Sequence, residues 1–280
     1  MSDGFDLFVL ILMLFALGAC AGLMAGLLGV GGGIVLVPGL FYIFSFLQAD
    51  FGFDAAHIMH VAVGTSLAII VPTGSSSARS HCRKGGVDLS CVRVLALGIV
   101  LGVVIAMFFA QAVSGEILRI IFAFFLIIVA ILMMFGRSRF EVMVSDVVFK
   151  KPQAIFAGGI IGCVSSLIGI GGATMSVPYM LMKGMPMRRA VGTASFLGLV
   201  ISIPAAIGFI IIGWAVPNLP PMSLGYVNIL AWLCVVSISV FCAPIGANLA
   251  HRISVRRLQL FFAVFMILVS MKMWYEIATG

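Results

Sequence analysis

Leu27-Leu28-Gly29-Val30-Gly31-Gly32-Gly33-Ile34-Val35-Leu36-Val37-Pro38 is echoed, 140 positions later, by Leu167-Ile168-Gly169-Ile170-Gly171-Gly172-Ala173-Thr174-Met175-Ser176-Val177-Pro178. Each stretch is a glycine cluster inside an otherwise unbroken apolar segment. Within lipid, backbone stripped of its helical hydrogen bonds is tolerated only where protein buries it or it lines a cavity. Two such breaks in corresponding segments are a sequence-level pointer to a transport site at the interface of two repeats.

Composition fixes the setting for these breaks. Hydrophobic residues make up 63% of 280 positions and charged residues 9%, with a mean hydropathy of +1.28. A soluble chain would carry roughly 25% charge. Runs of about 20 apolar residues recur, each long enough for about 30 Å of hydrocarbon. The reading is an all-α polytopic membrane protein, and the net charge of +7 is a topology signal, not a nucleic-acid one. The six cysteines form no C-x-x-C pair and are expected to pack as free thiols in apolar spans. Leu17-Gly18-Ala19-Cys20 loosely resembles a lipoprotein cleavage box, but Asp3 and Asp6 stand where a leader needs basic residues, so no cleavage is expected.

The repetition reaches past the glycines. Ala62-Val63-Gly64-Thr65 returns as Ala190-Val191-Gly192-Thr193, and Leu118, Phe122, Ala123 and Phe125 return as Leu258, Phe262, Ala263 and Phe265. The chain divides into a first transmembrane repeat at 1–140, a cytoplasmic linker at 141–152 and a second repeat at 153–280. Orientation follows from charge. If each broken segment crosses once, the basic residues split almost evenly between the two faces. If each instead turns at its glycines and leaves where it entered, the loops at 79–93, 137–151, 183–189 and 252–257 share one face. Of 16 basic residues, only Arg119 and Lys272 then lie opposite, alongside Asp3, Asp6, Asp50, Asp54, Glu116 and Glu276. The positive-inside rule selects this second arrangement: two inverted-topology repeats, each a glycine-broken re-entrant helix hairpin plus three transmembrane helices.

The expected binding site sits where the hairpin tips meet. Glycine permits the tight reversal, and the helix resuming at Ile34 or Thr174 presents unpaired N–H groups and its positive dipole end, which suits an anion. The packing alternative is a small-residue helix contact. A dinucleotide fingerprint is excluded because no strand precedes either motif. Thr65, Ser66, Thr193 and Ser195 follow Gly64 and Gly192 and could donate to a substrate oxygen, or simply bond back to their own helices. Thr73, Ser75, Ser76 and Ser77 form one polar face, and Ser202-Ile203-Pro204 marks an expected kink. His57 and His60 are expected at the surface. No acidic residue falls in the middle of a span, and no nucleophile, metal cluster or phosphate loop appears, so no enzyme activity, catalytic residue, metal or cofactor is expected.

The twin motifs G-x-G-G-G-x-x-x-x-P and G-x-G-G-x-x-x-x-x-P, each followed by A-V-G-T, closely resemble those of the sulfite exporter TauE/SafE family, also called the 4-toluene sulfonate uptake permease family. The resemblance covers nearly the whole chain. It implies a multi-pass secondary transporter of the bacterial inner membrane that moves sulfite, sulfoacetate or other organosulfonates by alternating access. Carried onto this chain, the motif residues are Gly29, Gly31, Gly32, Gly33 and Pro38, then Gly169, Gly171, Gly172 and Pro178, with Thr174 beside the second tip. Ala173 departs from the pattern by standing where the first copy has a third consecutive glycine, so the two tips are not equivalent. The expected partners are a small anionic substrate, membrane lipid and a coupling proton or ion, with no nucleic acid. The alternatives are a membrane-embedded assembly protein without transport, or a permease for a solute lacking sulfur.

Overall fold

The computed structural model describes residues 3–28, 32–135, 151–250 and 255–279. Ten helices account for nearly all of them: α1 (Asp3–Leu28), α2 (Gly33–Phe51), α3 (Ile58–Arg83), α4 (Leu89–Ala112), α5 (Gly115–Phe135), α6 (Lys151–Ile168), α7 (Ala173–Met182), α8 (Met187–Gly213), α9 (Ile229–Ala250) and α10 (Val255–Thr279). One departure from an all-helical chain is a two-stranded antiparallel ribbon, β1 (Ser223–Leu224) with β2 (Val227–Asn228). It forms in the chargeless, proline-rich loop, where Pro217, Pro220 and Pro221 oppose helix.

Among the described residues, seven helices are long and apolar enough to cross a membrane: α1, α3, α4, α5, α6, α8 and α10. The outward faces of these helices, for example Leu97, Leu101, Ile105 and Phe108 on α4, are exposed hydrocarbon of the kind lipid covers. α7 has 10 residues and rises only about 15 Å, too little to cross. α1 and α2 form a hairpin, since Gly32 lies against Ala21 and Gly39 against Leu17. The linker at 141–150 lies outside the described residues; α6 begins at Lys151.

Packing contacts come in pairs related by the 140-residue offset. On α1, Gly18 lies against Val235 and Gly22 against Ser239 of α9; on α6, Gly158 lies against Leu95 and Gly162 against Ile99 of α4. Adding 140 to Gly18 and Gly22 gives Gly158 and Gly162, and adding 140 to Leu95 and Ile99 gives Val235 and Ser239, so the same contact is made twice between the halves. Small residues at i and i+4 remove the side chains that would hold two backbones apart, so these helices touch backbone to backbone. The A-V-G-T helices α3 and α8 run antiparallel, because Gly64 abuts Phe209, Gly74 abuts Leu199, and Ser77 bonds Ser195. α5 and α10 are antiparallel as well. Arg119 pairs with Glu276 at 2.6 Å, and Ser270 donates to the Ala123 carbonyl.

Candidate functional site

The second glycine tip is built from two left-handed residues, Gly169 at φ 72° and Gly171 at φ 76°. A side chain there would be strained, so glycine lets α6 stop at Ile168 and α7 start at Ala173. Residues 169–172 are all buried. Gly169 packs on Val37 of α2 and Val63 of α3, Gly171 on Ile70, and Gly172 on Gly198 and Ile201 of α8. Ile70 and Gly198 lie near the middles of α3 and α8, so the tip sits halfway through that helix pair.

The two tips touch. A Cβ on Gly33 would lie 2.7 Å from the carbonyl oxygen of Ile170. Gly32 precedes α2 as its N-cap, as Gly172 precedes α7. Gly29 and Gly31 lie outside the described residues. In α2 the Gly32 carbonyl accepts from Val35 and Leu36; in α7 the Gly172 carbonyl accepts from Ser176. The N–H groups ahead of those donors have no acceptor within their helix. Pro38 and Pro178 occupy the same place in the two helices, and neither has an N–H to give the carbonyl four residues back, Ile34 or Thr174. Three buried hydroxyls near the second tip, Thr174 Oγ1, Ser176 Oγ and Ser202 Oγ, find no hydrogen-bond partner among the described residues. Ser176 and Ser202 were not singled out as candidates from sequence. The signal for Ser176 was its place in the repeated motif, three residues into the resumed helix.

The hydroxyls expected to face substrate have protein partners. Ser66 Oγ donates to the Gly169 carbonyl at 2.8 Å, anchoring the tip. Thr65 Oγ1 accepts the N–H of Asn228, and Thr193 Oγ1 accepts the N–H of Asp88, both at 2.9 Å. Ser195 Oγ donates to Val191 and receives Ser77. Asp88 and Asn228 in turn cap α4 and α9 through their side chains. Each A-V-G-T segment thus grips the start of a helix in the opposite half. Gly64 admits the Tyr226 carbonyl and Gly192 the Gly86 carbonyl. The same offset that pairs the tips pairs Gly85-Gly86-Val87-Asp88 with Gly225-Tyr226-Val227-Asn228, and Gly85 and Gly225 both have positive φ. Gly64→Ala, whose Cβ would lie 2.5 Å from the Tyr226 oxygen, is expected to cost about 1–3 kcal/mol of stability, read as a lower melting temperature in detergent.

His60 is not at the surface. It is 3% exposed, stacked on Tyr226 at 4.9 Å between ring centres, with Nε2 3.1 Å from the Ala110 carbonyl. The expectation failed because Tyr226, far away in sequence, folds over it. Tyr226 also meets His57, its hydroxyl lying 3.2 Å from Nδ1, and burial pushes the Tyr226 phenol up, so it stays protonated. The six cysteines are free thiols, two of them exposed.

The chain matches the sulfite exporter TauE/SafE family over residues 14–273, a span that includes both tips and both A-V-G-T segments. It belongs to that family. Relatives carry the same broad description. A probable membrane transporter protein of Haemophilus influenzae is 35% identical over 271 residues, covering 96% of this chain and 100% of its own length. The probable membrane transporter protein YunE of Bacillus subtilis is 25% identical, covering 94% of this chain and 97% of its own. A probable membrane transporter protein of Methanocaldococcus jannaschii, MJ0441, is 26% identical over 91% and 92% of the two chains. No solved structure matches. Membership makes this a multi-pass membrane transporter rather than an enzyme by kinship.

Proposed function

We propose that the protein is a secondary transporter of small oxyanions, sulfite or organosulfonates, working by alternating access in the inner membrane. Its halves are inverted-topology repeats: 1–140 and 153–280, joined by the cytoplasmic linker. The observation that carries the reading is the Gly33–Ile170 contact. It brings together the starts of α2 and α7, whose first N–H groups have no acceptor within their own helices, with the Thr174, Ser176 and Ser202 hydroxyls unpartnered near the second of them. Such a site stabilises negative charge without placing Lys or Arg in hydrocarbon. The antiparallel run of α3 against α8 and of α5 against α10 supports inversion, since these are the corresponding helices of the two halves.

Charge placement supports the topology as well. Arg119 and Lys272, the two basic residues on the otherwise acidic face, both reach Glu276. In this reading Gly32, Gly33, Gly169, Gly171 and Gly172 shape the site, with Gly29 and Gly31 completing the first tip. Pro38 and Pro178 fix the resumed helices, and Ser66 holds the second tip. Thr65, Thr193 and Ser195 lock the halves together around the substrate. A coupling proton or ion would be a further partner.

The test is ligand-dependent stability of the purified protein. An anion held only by the folded state, at about a hundred times its Kd, adds roughly 2.7 kcal/mol. Sulfite or a sulfonate is expected to raise the melting temperature, and chloride at equal ionic strength is not. If sulfite, thiosulfate and sulfonates all leave it unchanged, the oxyanion reading fails.

A further inference from the structure

A cleft of about 760 Å3 runs beside the C-terminal half of α3, lined by Pro72, Ser75, Ser76, Arg79, Ser80, Arg83 and Lys84. Pro72, Ser76, Arg79 and Arg83 recur at helical spacing, so they form one stripe along the helix. No carboxylate lines the cleft. Among the described residues the ion pairs are Arg119–Glu276, Arg189–Asp88 and Lys272–Glu276, so Arg79, Arg83 and Lys84 have no acidic partner there. The helix dipole places some negative charge at this end of α3, but far less than three cations carry.

The stripe also has a direction. Its inner end, Pro72, lies two residues along α3 from Ile70, which Gly171 of the tip touches, so the cleft reaches the depth of the tip on another face of the helix. Arg79 stands nine residues past Ile70, about 13 Å along the axis. The other half has no equivalent. Aligning Thr65 with Thr193 puts Ile203, Pro204, Ile207 and Ile211 of α8 where α3 has Ser75, Ser76, Arg79 and Arg83. Those isoleucines are exposed and apolar.

We propose that this cleft is a second anion site, a loading vestibule that takes an oxyanion from water on one face only. The inference rests on the transporter reading above. The guanidinium groups of Arg79 and Arg83 bind the oxyanion's oxygens in paired hydrogen bonds, and the hydroxyls of Ser76 and Ser80 supply further donors. An anionic lipid headgroup offers the same chemistry; the reach of the cleft down to the depth of the tip argues for the soluble ion.

The experiment measures sulfite flux in oriented proteoliposomes, with the ion presented at either face, for wild type, Arg79→Ala/Arg83→Ala and Arg79→Lys/Arg83→Lys. Losing charge-assisted hydrogen bonds should raise KM roughly tenfold for sulfite offered at the Arg83 face, with kcat little changed and KM from the opposite face unaltered. The lysine variant should recover part of the loss, and the effect should shrink as salt rises. Equal KM in both variants and wild type overturns the vestibule while leaving the transporter standing. If wild type itself moves no oxyanion, the transporter reading falls instead, and sulfite binding to purified protein decides the cleft: binding lost in the alanine variant sustains it, and binding unchanged or absent overturns it. Competition by short-chain phosphatidylglycerol, with sulfite itself failing to bind, assigns the cleft to lipid and also overturns it.

Discussion

Gly33→Ala is expected to abolish transport while the protein still reaches the membrane and folds. The added methyl would sit 2.7 Å from the Ile170 carbonyl oxygen and 2.8 Å from its Cα. Backbone cannot rotate away as a side chain can, so one tip must retreat from the other. A penalty of about 3 kcal/mol falling on one access state slows turnover roughly a hundredfold. Gly172→Ala provides the control at the second tip. Its Cβ would meet Ile201 Cδ1 at 2.6 Å, the flexible end of a side chain, and Gly198 only at 3.4 Å. It is expected to keep most of its flux, whereas Gly172→Val, with two further methyls in the same space, is expected to lose it. Labelled-sulfite uptake, normalised to folded protein by size-exclusion chromatography, checks both. Wild-type flux in Gly33→Ala would mean the tip contact is only packing.

Gly102→Val is expected to have the largest effect on stability. A Cβ on Gly102 would run into the Gly159 carbonyl, and one on Gly98 into the Ile155 carbonyl. Both obstacles are backbone of α6, so α4 and α6 must move apart along their whole seam. That seam is one of several contacts tying the first half to the second. Overpacking of this kind costs about 3 kcal/mol, a fall in melting temperature of roughly 10 °C. Gly159→Ala lies on the same seam, yet its Cβ would approach nothing nearer than the Gly98 oxygen at 3.7 Å. It is expected to melt within a few degrees of wild type. Equal melting temperatures for Gly102→Val and wild type would show that the seam is looser than its geometry says.

Much of this architecture could be read from the sequence because the same physics is written twice. The glycine tips, the prolines after them and the A-V-G-T segments stand out by repetition, and the structure brings Gly33 to Ile170 and Ser66 to Gly169. What repetition could not reveal was the exchange between halves. Thr65 and Thr193 look like donors near a site until Asn228 and Asp88 appear beside them from far along the chain. The pairing of Gly86-Val87-Asp88 with Tyr226-Val227-Asn228 was present at the same offset, hidden because Gly and Tyr differ so much in size. His60 was misplaced for the same reason: burial by Tyr226 is a tertiary fact that helical spacing does not carry. Likewise, Gly18 and Gly22 read as unremarkable small residues until α9 is laid on them.

The central idea is that two interrupted helices, facing each other across the bundle, hold an oxyanion by bare N–H groups and buried hydroxyls. The most direct measurement is the location of a bound anion by anomalous scattering from crystals grown with selenite, the heavier analogue of sulfite. The account predicts a selenium peak within hydrogen-bonding reach of the first N–H groups of α7 and of Ser176 Oγ, beside Gly33. Selenite found only at surface lysines and arginines, with the region between Gly33 and Ala173 filled by protein alone, would contradict it.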